Sequence, residues 1–200
     1  MNRRLLHPAV RPLLFLSCCL PLFWLVAAVF LDRLGANPAE ALIRSLGDWA
    51  IRALVLVLMV TPLRILTGWS ALARWRRMLG LFAFFYASLH LLAYAWFDME
   101  WLPSAVIADL VQRPFILVGM LAWLILLALA LTSFDRAIRR LGAARWRALH
   151  RLVYAAAALV TVHFLWMRSG KNDYFEVWIY GGLFALLLGW RLWHAQRRRA

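Results

Sequence analysis

Apolar residues gather into six runs of about 20, divided by short connectors in which arginines and acids collect. A run of that length, wound at about 1.5 Å per residue, crosses a hydrocarbon core of roughly 30 Å. The pattern predicts six membrane-spanning helices over about 13–31, 46–66, 79–97, 115–134, 148–166 and 174–193. Pro21 lies inside the first run and Pro62 near the end of the second. Each is expected to kink its helix rather than end it, because neighbouring helices can satisfy the freed carbonyls. The first run exceeds the roughly 7–15 apolar residues of a secretory signal, so it is expected to stay as a helix. That holds despite Arg3, Arg4 and Arg11 around its start and Ala27 and Ala28 near its end. The expected fold class is an all-α integral membrane protein, a six-helix transmembrane bundle forming a single domain over residues 1–200.

Composition strengthens this reading. At 65% hydrophobic residues with 12 Trp and 12 Phe, and a mean hydropathy of +0.73, the chain is unlike a soluble domain. Its net charge of +14 invites a nucleic-acid partner, but the distribution argues against one. The N-terminal tail, the connectors 64–77 and 136–151 and the C-terminal tail hold 17 basic residues and one acid, Asp135. The remaining connectors and helix ends hold six basic residues and eight acids. By the positive-inside rule the first set faces the cytoplasm, with both termini inside, and the basicity reflects topology and contact with anionic lipid. Cys18 and Cys19 are adjacent in the first run, so they make no disulfide framework and no site for covalent haem attachment, and read as small core residues.

The longest connector, 98–114, is too short for a folded domain, and the chain carries no phosphate-binding glycine loop or dinucleotide fingerprint. Chemistry is therefore expected inside the bilayer or at its surface, and any nicotinamide-driven reaction needs a partner. Among five histidines, His7 and His194 fall in the basic tails, where a solvated imidazole needs no special reason. His90 and His163 lie deep in the third and fifth runs, where an ionisable side chain implies function by default. An interhelical hydrogen bond to a hydroxyl or carbonyl is the plainer alternative. The two helices run the same way, and the histidines stand about 17 and 22 Å from their inner ends. Two neutral imidazoles at similar depth on neighbouring helices can ligate one haem iron from both faces. Ala83, Ala87 and Ala93 around His90, and the alanine run 155–158 before His163, leave room for a macrocycle or equally for close helix packing. His150 is counted about 3 Å from the inner end of the fifth helix, and about 20 Å and 140° from His163. It belongs to a different site, a second haem or other cofactor, or a point of electron entry. Arg76 and Arg77 are candidates to hold an anion such as a haem propionate, a flavin phosphate or a lipid headgroup.

Several stretches together resemble a known family. They are Val60-Thr61-Pro62-Leu63-Arg64; Arg76-Arg77-Met78-Leu79-Gly80-Leu81 leading to Leu89-His90-Leu91; Arg113-Pro114-Phe115; and Trp146-Arg147-Ala148-Leu149-His150-Arg151 followed by His163-Phe164-Leu165-Trp166. With these the chain is similar, over nearly its whole length, to the MsrQ (YedZ) haem-binding membrane subunits of bacterial periplasmic methionine sulfoxide reductase systems. That family lies in the ferric reductase-like transmembrane superfamily, whose core would span about 46–166. The resemblance implies that His90, His150 and His163 are the haem-associated histidines, and that the cofactors are haem b, one or two, and FMN. No FMN-binding residues are identifiable here, so that cofactor rests on the resemblance alone. It further implies a bacterial inner membrane location, a periplasmic molybdopterin partner MsrP, and electrons supplied by the quinone pool or a cytoplasmic flavin reductase. One histidine rather than two on the third helix departs from the larger ferric reductases and puts a conventional bis-histidine second haem in question.

The leading functional expectation is a transmembrane haem electron carrier with no substrate chemistry of its own, serving repair of oxidised periplasmic proteins. The alternative is a haem-free helical assembly factor or permease, in which the histidines pair with polar groups.

Overall fold

The computed structural model describes residues 7–170 and 172–197, so Arg3, Arg4, Lys171, Arg198 and Arg199 of the charge count lie outside the described residues. The described residues are helical, with no strand among them. We number the helices α1 (Val10–Phe30), α2 (Pro38–Thr67), α3 (Arg76–Phe97), α4 (Pro103–Gln112), α5 (Pro114–Leu131), α6 (Asp135–His150), α7 (Val153–Ser169) and α8 (Phe175–Arg197). A 3₁₀ turn, Ser70–Arg74, joins α2 to α3. Six helical stretches are long and apolar enough to cross a membrane, with α6 and α7 counted as one. Large apolar side chains are bared along them, Phe30 at 84% and Trp178 at 77% exposure. In water such surface is an aggregation liability; in a bilayer it is the lipid-facing side.

Several helices differ from the hydropathy runs in instructive ways. The second begins at Pro38 rather than near 46, because Asn37 caps it by accepting from the Glu40 amide at 3.2 Å and proline sits in its first turn. Glu40 and Arg44, ion-paired at 2.5 Å, therefore belong to the helix. It ends at Gly68, whose φ of 71° is a left-handed cap. The fifth span begins at Val153, not near 148, and reaches Ser169. Two connectors are themselves helical, α4 and the arginine-rich α6, and α6 is broken at Gly142, where φ is 75°. Pro21 and Pro62 both remain inside their helices, as expected.

The chain divides into two compact units, Met1–Pro103 and Ser104–Ala200, where hydropathy offered no boundary. In the first, α2 packs along α3 and α1 lies against both. Leu25, Leu46, Phe82, Tyr86 and Ala93 form one buried cluster, with Cys18 and Cys19 packed beside it as free thiols. The Tyr86 hydroxyl donates to the Cys18 carbonyl at 2.6 Å, tying α3 to α1. In the second unit α5 packs along α7 and α8 covers α7. Ala156 and Ala157 have no exposed surface, so this part of the alanine run serves close helix packing.

Candidate functional site

His90 lies on α3, seven residues before its end at Phe97, and His163 lies on α7, six before Ser169. At about 1.5 Å per residue, they stand about 10.5 and 9 Å in from the ends of their own helices, a smaller difference than the count from the opposite ends gives. Each ring is partly buried and each makes the same kind of bond. His90 Nδ1 lies 2.8 Å from the Ile43 carbonyl oxygen near the start of α2. His163 Nδ1 lies 2.6 Å from the Phe115 carbonyl oxygen near the start of α5, with the Phe115 ring 6.0 Å from the imidazole.

A carbonyl oxygen only accepts, so Nδ1 must be the protonated nitrogen in both rings. In a neutral imidazole this leaves the lone pair on Nε2, the form a metal-ligating histidine needs, with its tautomer and ring plane fixed by a second partner. Among the described residues no three His, Cys, Asp or Glu side chains gather into a metal cluster. Single histidines of fixed tautomer are instead the donors that a haem iron takes, since the macrocycle supplies its other ligands. The donor set therefore fits haem and does not fit a bare metal ion.

His150 has surroundings of its own. It is the last residue of α6, separated from α7 by the two-residue turn Arg151–Leu152. Its ring stacks on Trp146 with centroids 4.1 Å apart, and its Nε2 lies 3.2 Å from the Thr132 hydroxyl. The Trp146 indole donates to the Thr132 carbonyl at 2.9 Å, so both side chains are fastened to the end of α5. Arg76 and Arg77 are exposed and occupy the first two positions of α3, where the helix dipole adds to their attraction for an anion. About 20 Å of helix separates them from His90, so an anion held there belongs to a different group from one bound at that ring.

Two features escaped sequence reasoning. One is the carbonyl partners, since every residue has a carbonyl and only packing selects Ile43 and Phe115. The other is a charged flank beside the His163 end of its unit. Buried Asp109 pairs with Arg113, whose guanidinium lies 6.0 Å from the Phe115 ring centroid. Buried Arg168 donates to Asp173 at 3.0 Å and Glu176 at 2.5 Å and lies over the Phe164 ring at 5.3 Å. The i, i+4 spacing of Asp109 and Arg113 was a usable signal; the reach from Arg168 across the α7–α8 turn was not.

The helices define a multi-pass membrane protein with two deep histidines of fixed tautomer, and sequence comparison gives the class. The ferric reductase like transmembrane component family matches residues 46–161, which include His90 and His150 and stop two residues before His163. The chain is 56% identical to the "Protein-methionine-sulfoxide reductase heme-binding subunit MsrQ" of Polaromonas naphthalenivorans, over 98% of this chain and 90% of that one. It is 50% identical to the protein of the same description in Bordetella pertussis, over 95% and 92% of the two chains. With its counterpart in Rhodospirillum rubrum it shares 49% identity over 92% and 88%. The chain belongs to the MsrQ family of heme-binding subunits. No solved structure matches it.

Proposed function

We propose that this chain is a transmembrane electron carrier that takes electrons from the quinone pool or a cytoplasmic flavin reductase. It delivers them to a periplasmic molybdopterin methionine sulfoxide reductase, MsrP, for repair of oxidised periplasmic proteins in a bacterium whose inner membrane it spans. The observation that carries the reading is the Nδ1–H bond to a backbone carbonyl at both His90 and His163. His90 and His163 would hold one haem b as its axial ligands, and the haem supplies reversible one-electron transfer when bound. With both axial positions taken by protein, no open coordination site remains for substrate, which supports a carrier with no substrate chemistry of its own.

His150 serves a second cofactor, haem or FMN, or the entry of electrons at the arginine-rich face. Its placement at the end of α6, beside Thr132 and Trp146, supports this separation from the first pair. FMN rests on the family resemblance alone. With both termini cytoplasmic, Arg76, Arg77 and the arginines of α6 present a basic surface to an acidic or phosphorylated donor, while a quinol enters laterally from the lipid.

The test follows the electron in both directions by rapid mixing with the membrane-bound protein. A cytoplasmic flavin reductase or a quinol should reduce the haem. Adding the molybdenum subunit with methionine sulfoxide should reoxidise it. Haem that stays reduced in the presence of the complete acceptor system refutes the assignment to methionine sulfoxide repair.

A further inference from the structure

Each of the two histidines is seated in the same way on its neighbouring helix. The accepting carbonyl lies 47 residues before His90 and 48 before His163, in the second turn of α2 and the first turn of α5. Four residues beyond each carbonyl is a glycine, Gly47 after Ile43 and Gly119 after Phe115. The spacing has a cause. In an α-helix the carbonyl of residue i points along the axis at the amide of residue i+4. A ring that reaches that oxygen from the flank must lie over residue i+4, where any side chain would stand in its way.

The contacts bear this out. A Cβ added at Gly119 would lie 2.7 Å from His163 Nδ1 and 2.8 Å from Cε1; one added at Gly47 would lie 3.1 and 3.3 Å from the same atoms of His90. Of the ten glycines in the chain, these two alone would bring a Cβ within 3.4 Å of a neighbour, and in both the neighbour is an imidazole. Gly80, Gly182 and Gly189, also inside membrane-spanning helices, face nothing within 4 Å. Mere presence of glycine in a membrane helix is ordinary; contact with these two rings and nothing else is not.

We propose that Gly47 and Gly119 are positioning residues that, with the Ile43 and Phe115 carbonyls, set the ring planes of His90 and His163 and so tune the iron those rings ligate. The proposal rests on the axial assignment made above. The two seats differ in tightness. At Gly119 a methyl group cannot be admitted unless the ring moves, and the atom it meets first is the Nδ1 that bonds to Phe115. At Gly47 a displacement of a few tenths of an ångström suffices. Turning an axial imidazole about its metal bond changes the splitting of the iron d orbitals, and losing the Nδ1–H bond makes the ligand less basic.

The test is electron paramagnetic resonance of the ferric full-length protein, with haem content and midpoint potential, in Gly47→Ala, Gly119→Ala and the control variants Gly80→Ala and Gly189→Ala. The expected order is a large change for Gly119→Ala, with displaced g values, a raised potential and haem retention weakened by about tenfold. Gly47→Ala should show a smaller displacement of g with haem retained, and the controls none. Unchanged g values and potential in both seat variants overturn the proposal. So does an unchanged Gly47→Ala spectrum if Gly119→Ala does not fold. His163→Ala, prepared in parallel, separates the two levels: undiminished haem there refutes the axial assignment, whereas haem loss there beside an unperturbed Gly119→Ala refutes the seat alone.

Discussion

His163 donates its Nδ1–H to the Phe115 carbonyl at 2.6 Å, across the packing of α7 on α5. The bond takes nothing from α5, because a carbonyl oxygen has two lone pairs and can serve the helix ladder and the imidazole together. An imidazole held this way is stiff in both tautomer and plane, which lowers the reorganisation that a change of iron oxidation state requires of its ligand. The Ile43 carbonyl does the same for His90 at 2.8 Å. One rule of helix geometry, applied twice, thus seats two imidazoles on two helix pairs.

The basic connectors should lie in the cytoplasm. In a background with Cys18 and Cys19 replaced, single cysteines at Arg145 in α6 and at Glu100 after α3 report the topology by labelling with a membrane-impermeant thiol reagent. In intact cells the cysteine at 100 should react and the one at 145 should not; in inverted vesicles the order should reverse. Labelling at 145 from the periplasmic side contradicts the orientation.

His150→Ala should slow reduction by the cytoplasmic donor while leaving the His90–His163 haem in place. Thr132→Val, which removes the hydroxyl 3.2 Å from the His150 ring but leaves the Trp146 stack, should act in the same direction more weakly. The comparison is haem content against the rate of reduction on rapid mixing. Loss in His150→Ala of the same haem that His90→Ala removes contradicts the separation of sites.

The Arg168 cluster should matter to stability in proportion to the burial of each partner. Arg168 has a side chain only 10% exposed, and its partners Asp173 and Glu176 are 52% and 35% exposed. Replacing a partner by its amide leaves a buried cation short of one negative charge. Solvent screening at these half-exposed carboxylates holds the cost to about 1–2 kcal/mol, well below that of a fully buried pair. Glu176→Gln should therefore lower the thermal midpoint in detergent more than Asp173→Asn. Equal or inverted effects contradict this ranking.

Six spans were legible in hydropathy because lipid demands long apolar runs, and that demand is written residue by residue. Their ends were less so. Glu40, Arg44 and Asp48 interrupt the apolar run, yet they lie within α2, whose start is decided by the Asn37 cap and Pro38. Those two residues were a readable signal, masked by the charges that follow. The end of α6 was hidden for a related reason: the run from Trp146 to Val153 continues helical in composition, and the turn at Arg151 and Leu152 carries no proline or glycine to mark it. The histidines themselves stood out by depth. Their seats did not, because a backbone carbonyl has no letter in the sequence, and Gly47 and Gly119 look like the chain's other helical glycines until packing brings an imidazole against them.

The central claim is that His90 and His163 ligate one haem b. The most direct measurement is the reduced-minus-oxidised absorption spectrum, with haem content by pyridine haemochrome, of the purified wild-type protein and of His90→Ala and His163→Ala, all produced with ample haem supply. The account predicts a reducible b-type spectrum in the wild type and loss of the same haem signal in each variant. A colourless wild-type protein, or normal haem content and an unchanged spectrum in both variants, contradicts it.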